Sequence, residues 1–290
     1  MASPGRLATF DTPNVRRVLY GAAILGMLLG IQTVVLHLST DPLADVRAYY
    51  DAGARLNDGR PLYDQPATTN EAEFYRYPPL LAIVFRPLAL LPFEIAAAIW
   101  EVFLVGCLAL TIVRLRATRR TWVVLGMLAL PTGWAVAIGQ AQILVTLLMA
   151  IGSPVALAFA THLKLFPVLA AIWWLGRGDW RSLGWFVGWL VALGLVQLVL
   201  EPTGTLAYPA SLGLEQVGSV ENRSLYALSP ILWGLAVIAG MVVAWRLAPT
   251  RWGWLAAVAL SVFATPRLLI YQMSTLLAAL REPDPSSGPR

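Results

Sequence analysis

The sequence predicts an all-α polytopic membrane protein, and three observations lead to that fold class. Hydrophobic residues make up 58% of the 290 residues and charged residues only 13%. In soluble proteins about 45–50% of the residues are apolar and about 25% are charged. Apolar runs recur along the whole chain, several of them near the ~20 residues that a helix needs to cross a bilayer. The charged residues fall mainly between these runs. This composition excludes a soluble enzyme, a disordered protein and, with a single cysteine, a secreted disulfide scaffold.

The first apolar run, 18–38, is predicted to be a retained membrane span. Arg16 and Arg17 precede it, but the run is long for a signal peptide and no small-residue cleavage site follows it. A polar stretch, 39–77, comes next. The apolar piece 78–91 is too short to span comfortably and contains a proline, so a re-entrant or interfacial segment is predicted there.

The later apolar runs are shorter and several are interrupted by proline or polar residues. Such helices are tolerated at membrane depth where they line a cavity inside the protein. We therefore predict about nine or ten membrane segments, some of them re-entrant or broken, in one domain covering 18–281. The segment 282–290 is predicted to be a disordered tail. The remaining runs cover 93–113, 122–137, 141–151, 154–174, 183–200, 228–245, 252–263 and 268–280.

The charges predict the orientation of the chain. If the N-terminal segment 1–17 is inside, the inner segments hold 13 arginines and four acidic residues, and the outer segments hold seven arginines and 11 acidic residues. Cytoplasmic loops carry the excess of basic residues, so we expect a cytoplasmic membrane protein with both termini inside. The long polar loops, about 39–92 and 201–227, are then outside. The net charge of +5 reflects this topology, and no nucleic-acid partner is predicted.

The first outer loop offers acidic and aromatic candidates for chemistry. An acid just after a membrane helix, such as Asp45 or Asp41, can act as a general base or pair with a cation. The alternative is a solvated loop acid or a helix N-cap. The nearby Tyr49 and Tyr77 fit interface anchors, although in a cleft the same rings could stack on a sugar or a lipid chain.

Polar residues inside the apolar runs form a second group of candidates. Lys164 interrupts an apolar block, where an ionisable group usually faces a cavity and a partner; the partner could be a lipid phosphate, or the side chain could snorkel to the headgroups. Gln140, with Gln142, flanks a helix break, where an amide binds a hydroxylated ligand or satisfies freed backbone groups.

The second outer loop and the start of the last run add basic and amide candidates. Arg223, beside Asn222, is a candidate phosphate-binding fork or an ordinary interfacial arginine. Arg267 is a second candidate on the same side. The two histidines are too few for a protein-only zinc site, and no metal is predicted.

Taken in order, these motifs resemble glycosyltransferase family 87, a group of membrane mannosyltransferase-like proteins of the GT-C superfamily. The resemblance runs from about residue 18 to residue 280. It is carried by Asp45 and Tyr49, Gly59 with Leu62-Tyr63, Tyr77-Pro78-Pro79-Leu80, Gly139-Gln140, Leu163-Lys164-Leu165-Phe166-Pro167, Asn222-Arg223-Ser224-Leu225, Thr265-Pro266 and Tyr271.

The resemblance implies a GT-C-type helical bundle with a hexosyltransferase site on the outer face. The donor would be a polyprenyl-phosphate sugar, often mannose, and transfer to a lipid or glycan acceptor would invert the anomeric carbon. Asp45 matches the position of the general base, with Asp41 in reserve. Basic residues would neutralise the leaving phosphate, without a metal or cofactor. The residues expected to bind substrate or donor phosphate are Lys164, Arg223, Arg267, Tyr49, Tyr77, Gln140, Asn222 and Tyr271.

Two other functions remain open at this point. One is a flippase or carrier for a lipid-linked sugar, for which Asp45 would be dispensable. The other is a shortened, non-catalytic paralogue, because the chain is shorter than the family pattern around 149–154 and has no histidine after His162.

Overall fold

A computed structural model describes residues 12–65, 73–212 and 222–282, and these residues form helices without any β-strand. The predicted all-α class is therefore confirmed. Two 3₁₀ segments, Phe166–Ala171 and Ile270–Leu280, lie among the α-helices. The α-helices are α1 Pro13–Thr40, α2 Ala44–Asn57, α3 Pro79–Leu88, α4 Phe93–Arg114, α5 Arg119–Met127, α6 Ala129–Ala137, α7 Gln142–Ile151, α8 Pro154–Leu163, α9 Ile172–Arg177, α10 Trp180–Leu200, α11 Pro202–Ser211, α12 Leu225–Leu228, α13 Pro230–Leu247 and α14 Gly253–Phe263.

Four helices of the described chain, α1, α4, α10 and α13, are long and apolar enough to cross a membrane. Most of their apolar side chains are not buried inside the protein: Val18 is 71% exposed and Ile231 is 77% exposed. A long helix that is apolar on all sides and yet uncovered fits contact with lipid tails. The prediction of a polytopic membrane protein is confirmed.

Two of the shorter apolar runs are divided into separate helical segments, and the sequence predicted the interruption of one of them, 154–174. The run 122–137 is divided into α5 and α6, and the run 154–174 is divided into α8, a 3₁₀ segment and α9. The second break falls at Lys164, whose backbone is extended. The polar stretch 39–77 contains the helix α2, which buries Asp45, Tyr49 and one face of its length.

The turn between α6 and α7 depends on Gly139, which has a φ of +68°. A Cβ atom at this position would lie 2.0 Å from Cγ2 of Val46 and 2.7 Å from Oε1 of Glu101. Glycine is therefore required both for the left-handed backbone and for the close approach of the turn to α2 and α4. This contact brings Asp45 next to Gln140.

The two ends of the long helix α1 lie beside different parts of the molecule. At one end Arg119 lies 4.8 Å from the ring of Tyr20, and Arg116 pairs with Glu282 at 3.1 Å. This basic end joins loops that the charge pattern assigned to one side. Asp45 follows the far end of α1, at Thr40, and its backbone N–H donates to Ile138, so Asp45 and the turn 138–141 lie at the other end of this helix. Four stretches lie outside the described residues: 1–11, 66–72, 213–221 and 283–290, which include most of the predicted N-terminal segment, parts of both outer loops and the predicted tail.

Candidate active site

A cavity of about 160 Å³ lies at the end of the molecule that carries Asp45. Its walls come from α2, α6, α7, α14, the segment before α3, the break after α8 and the last 3₁₀ segment. Six of the predicted site residues line it: Asp45, Asp41, Tyr77, Lys164, Arg267 and Tyr271. These residues span more than 200 positions of the sequence, so the fold gathers them from distant segments.

Asp45 is held at the cavity wall by the first turn of α2. The backbone N–H of Asp45 donates to the carbonyl oxygen of Ile138 at 3.1 Å, and that of Leu43 donates to Ala137 at 3.2 Å. These bonds satisfy N–H groups that have no partner within the helix and dock α2 on the end of α6. Asp45 is only 9% exposed.

A directional chain of hydrogen bonds orients the Asp45 carboxylate. Gln140 Nε2 donates to the Tyr77 hydroxyl at 3.0 Å, and Tyr77 donates to Asp45 Oδ1 at 2.8 Å. Tyr49 donates to Gln140 Oε1 at 2.7 Å and accepts the N–H of Ala141 at 3.2 Å, which fixes the amide. Oδ1 is thus held by the Tyr77 hydroxyl, which fixes the orientation of the Asp45 carboxylate.

The environment sets the protonation of these groups. Burial raises the pKa of Asp45 to about 6, against the opposing effects of the Lys164 charge, the Tyr77 hydrogen bond and the Arg76 charge. Burial, together with the charge of Asp45, holds the pKa of Tyr77 well above its usual range. Tyr77 therefore stays a hydrogen-bond donor, while Asp45 is largely ionised at neutral pH. A carboxylate with a pKa near the working pH is suited to general base catalysis.

Lys164 places its charge at the cavity between two aromatic rings. Its Nζ is 5.2 Å from the ring centroid of Tyr77 and 4.9 Å from that of Tyr271, and is enclosed by protein. Cation–π contacts of this kind stabilise a desolvated ammonium group. The position favours the cavity interpretation of Lys164 over snorkelling, because the ammonium group is not turned out to headgroups.

Asn222 holds the backbone on both sides of Arg267. Its Nδ2 donates to the carbonyl oxygen of Pro266 at 2.7 Å, and its Oδ1 accepts the N–H of Leu268 at 3.0 Å. Arg267 is 91% buried and lines the cavity. Asn222 therefore supports the position of a cavity cation, a role that the sequence pattern did not suggest. Arg223 is exposed, donates its backbone N–H to Leu268 and is not among the lining residues.

Sequence reasoning missed several residues that the fold brings to the cavity. Arg76 is the most important, because it lines the cavity and its charge acts on Asp45. Its position directly before Tyr77-Pro78-Pro79 was the available signal. The reserve base, Asp41, lines the cavity, but its Oδ1 is engaged with His37 Nδ1 at 2.7 Å. Other lining residues that were not predicted are Trp134, Tyr208, Gln272 and Thr275, whereas Gln142, named with Gln140 from the sequence, also lines the cavity.

Tyr77, which donates to Asp45 in the hydrogen-bond chain, is also held in place through its backbone. Tyr63 donates its hydroxyl hydrogen to the carbonyl oxygen of Tyr77 at 2.9 Å. Three residues later, the N–H of Leu80 at the start of α3 donates to Gln197 Oε1 of α10 at 2.8 Å. The segment before α3 is therefore held from two sides, and the Tyr77 ring keeps its place between Asp45 and Lys164.

The arrangement has a definite chemical capacity. A carboxylate with one anchored oxygen can take a proton from a hydroxyl group, and the cations of the same cavity can stabilise an anionic leaving group. Groups that become charged during the reaction gain most from such contacts when the donors are already in place.

Comparisons with known proteins agree with this capacity. The sequence pattern of Glycosyltransferase family 87 matches residues 74–280, which is more than half of the chain. A relative from Mycolicibacterium smegmatis, named polyprenol-phosphate-mannose-dependent alpha-(1-2)-phosphatidylinositol pentamannoside mannosyltransferase, is 28% identical over 158 residues. That alignment covers 48% of this chain and 38% of the relative. No solved structure matches the chain significantly. The family match includes Tyr77 and Lys164, and Asp45 precedes it.

Proposed function

Because the chain belongs to glycosyltransferase family 87, we propose that it moves a sugar, mannose in the first instance, from a polyprenyl-phosphate donor to a lipid or glycan acceptor. The observation that carries this proposal is the buried Asp45 carboxylate, with Oδ1 anchored by Tyr77, in one cavity with Lys164 and Arg267. The donor class is supported by the name of the relative, which describes a polyprenol-phosphate-mannose-dependent enzyme.

The proposed reaction is a single displacement with inversion at the anomeric carbon. The acceptor hydroxyl gives its proton to Asp45 Oδ2 as its oxygen forms the new bond to that carbon. The bond between the anomeric carbon and the phosphate oxygen breaks, and its electron pair leaves with the phosphate. Lys164 and Arg267 lie where they would neutralise the charge that develops on the phosphate.

The proposed location follows from the two ends of the molecule. The basic end carries Arg116 and Arg119, two arginines of the inner segments, and basic loops remain on the cytoplasmic side. The cavity lies at the opposite end, so we place it on the extracytoplasmic face of the cytoplasmic membrane, with the N-terminus inside. A donor anchored by its lipid tail would reach the cavity from the outer leaflet.

Purified chain in lipid nanodiscs is expected to form a glycosidic bond when it is given polyprenyl-phosphomannose and a mixture of membrane-lipid acceptors. The product would be identified by mass spectrometry and its anomeric configuration by NMR. Movement of the donor across vesicles without a glycosidic product would contradict the proposal and favour a carrier. Turnover only after addition of a second transferase would favour a non-catalytic subunit.

Transfer is also expected to lose activity in acid with a midpoint near pH 6. Burial raises the pKa of Asp45 to about 6, and the protonated acid cannot accept the acceptor's proton. Activity should therefore fall about tenfold for each pH unit below the midpoint and level off above it. The measurement is kcat/KM against pH, which reports the free enzyme. A profile that is flat from about pH 5 to about pH 8 would contradict the assignment.

A further inference from the structure

A buried polar cluster joins α7 to the 3₁₀ segment Ile270–Leu280 at the wall of the cavity. Gln142, Thr146 and Thr275 are 5%, 3% and 2% exposed. Gln142 Nε2 donates to the hydroxyl of Thr275, which lies 3.1 Å from the hydroxyl of Thr146, and Thr146 donates to the backbone oxygen of Gln142 at 2.8 Å. This closed ring uses the protons of both hydroxyls and fixes the amide of Gln142.

Within the described part of the chain, one polar atom of this cluster lacks a hydrogen bond. Oε1 of Gln142 is buried and has no partner among the described residues. Leaving a buried carbonyl oxygen unpaired is costly, and where such an atom belongs to a residue that lines a cavity, a bound ligand can supply the missing partner. If the amide were turned over, its NH₂ group would be the unpaired one, so the conclusion does not depend on that assignment.

The chemistry of the unpaired amide selects the kind of partner. Gln142 and Thr275 both line the cavity, together with Ser261 and Gln272. With the amide in the orientation in which Nε2 donates to Thr275, a phosphate oxygen would be repelled by the carbonyl oxygen, and in either orientation a lipid tail would leave the group unpaired. A hydroxyl group fits, because it donates to the oxygen in one amide orientation and accepts from the nitrogen in the other.

We propose that Gln142, oriented by Thr275 and Thr146, binds a ring hydroxyl of the sugar that the donor carries. The inference rests on the proposed function for the identity of the donor. Gln142 follows Gln140 of the Asp45 hydrogen-bond chain by two residues, and Thr275 follows Tyr271, whose ring contacts Lys164, by four residues. Gln142 lines the same cavity as Asp45 and Lys164, so its amide belongs to the cavity that the transferred sugar must occupy.

The test compares binding of two lipids in nanodiscs, polyprenyl-phosphomannose and polyprenyl monophosphate of the same chain length. We expect wild-type protein to bind the sugar-bearing lipid more tightly. Gln142→Met, which keeps the volume and removes the amide, should weaken binding of that lipid about ten- to a hundredfold. Its affinity for polyprenyl monophosphate should stay within about twofold. Isothermal titration calorimetry measures both affinities without any turnover.

A series of donors that each lack one ring hydroxyl sharpens the test. Wild-type protein should discriminate against one of these deoxy donors, and Gln142→Met should bind it as well as the complete donor, because the lost contact is the same one. Thr275→Val offers a second route, since it removes the bond that orients the amide. Thr275→Ser should restore the discrimination.

Ser274→Ala is the matched control. The hydroxyl of Ser274 is also buried and without a hydrogen-bond partner among the described residues, but Ser274 does not line the cavity. This variant should bind both lipids as wild type does. Thermal unfolding of each variant checks that the fold is intact.

The possible outcomes separate the two proposals. Equal affinity of wild-type protein for both lipids, or equal losses for both lipids in Gln142→Met, would overturn the sugar-binding role. Sugar-dependent binding that Gln142→Met abolishes, in a protein that forms no glycosidic product, would support the binding site and reject the transferase. If the protein forms the glycosidic product, and Gln142→Met and Thr275→Val still discriminate against the same deoxy donor as wild type, the sugar-binding site is rejected and the transferase is not.

Discussion

Asp45→Asn is expected to lower kcat for sugar transfer about a thousandfold, within the range that general base catalysis contributes. Asparagine has nearly the same shape, and its carbonyl oxygen can still accept the Tyr77 hydroxyl hydrogen that Asp45 Oδ1 accepts at 2.8 Å. The asparagine side chain, however, carries an amide NH₂ group in place of Oδ2 and cannot accept a proton there. The loss should therefore appear in kcat, with a small change in KM for the donor, in steady-state assays on folded protein.

Two controls make the result specific to Asp45. Asp51→Asn changes an acid of the same helix that faces Arg47 and Arg55 and does not line the cavity, and it should leave kcat within about twofold. Asp41→Asn tests the reserve base, which bonds with His37, and should cost less than about tenfold. Full activity in Asp45→Asn together with loss in Asp41→Asn would transfer the catalytic role to Asp41.

Lys164→Met is expected to lower kcat about a hundredfold and to move the acid limb of the pH profile upward. A fixed cation that meets developing charge on the leaving phosphate contributes about this much. The charge of Lys164 also lowers the pKa of Asp45, so its removal should raise that pKa above about 6. The upward shift of the limb in kcat/KM is the more informative result, because a purely structural role of Lys164 would not produce it.

The controls for Lys164 separate charge from packing. Lys164→Arg keeps the charge between the rings of Tyr77 and Tyr271 and should keep the limb near its original pH. Arg251→Met removes a cation that lies 4.9 Å from the ring of Trp252, outside the cavity, and should leave both kcat and the limb unchanged. If Lys164→Met lowers the thermal stability but leaves the acid limb of the kcat/KM profile at its original pH, the electrostatic role of Lys164 is rejected.

Much of the fold could be predicted because membrane helices are encoded by local runs of residues. The runs 18–38 and 93–113 correspond to α1 and α4, since twenty apolar residues favour a bilayer wherever they lie in the chain. The break at Lys164 was also visible, because a charge and a proline interrupt an apolar block.

The site was predicted in part, and its internal order was not. Asp45, Lys164 and Arg267 were named from the sequence and line one cavity. Arg76 was overlooked, although it acts on Asp45. Arg223, named as a phosphate ligand, is exposed outside the cavity lining, and that role stays a prediction. Asn222, named as a substrate ligand, is engaged with backbone atoms of Pro266 and Leu268.

By itself, the sequence determined that this protein is helical, lies in a membrane and carries acidic and basic candidates at one end. Only the tertiary structure decided which candidates act together. Gln140 reaches Tyr49 across 91 positions and Tyr77 across 63 positions of the chain. Apolar periodicity is a property of neighbouring residues, whereas the orientation of a carboxylate and its pKa depend on which distant side chains bury it, bond to it and place charge beside it.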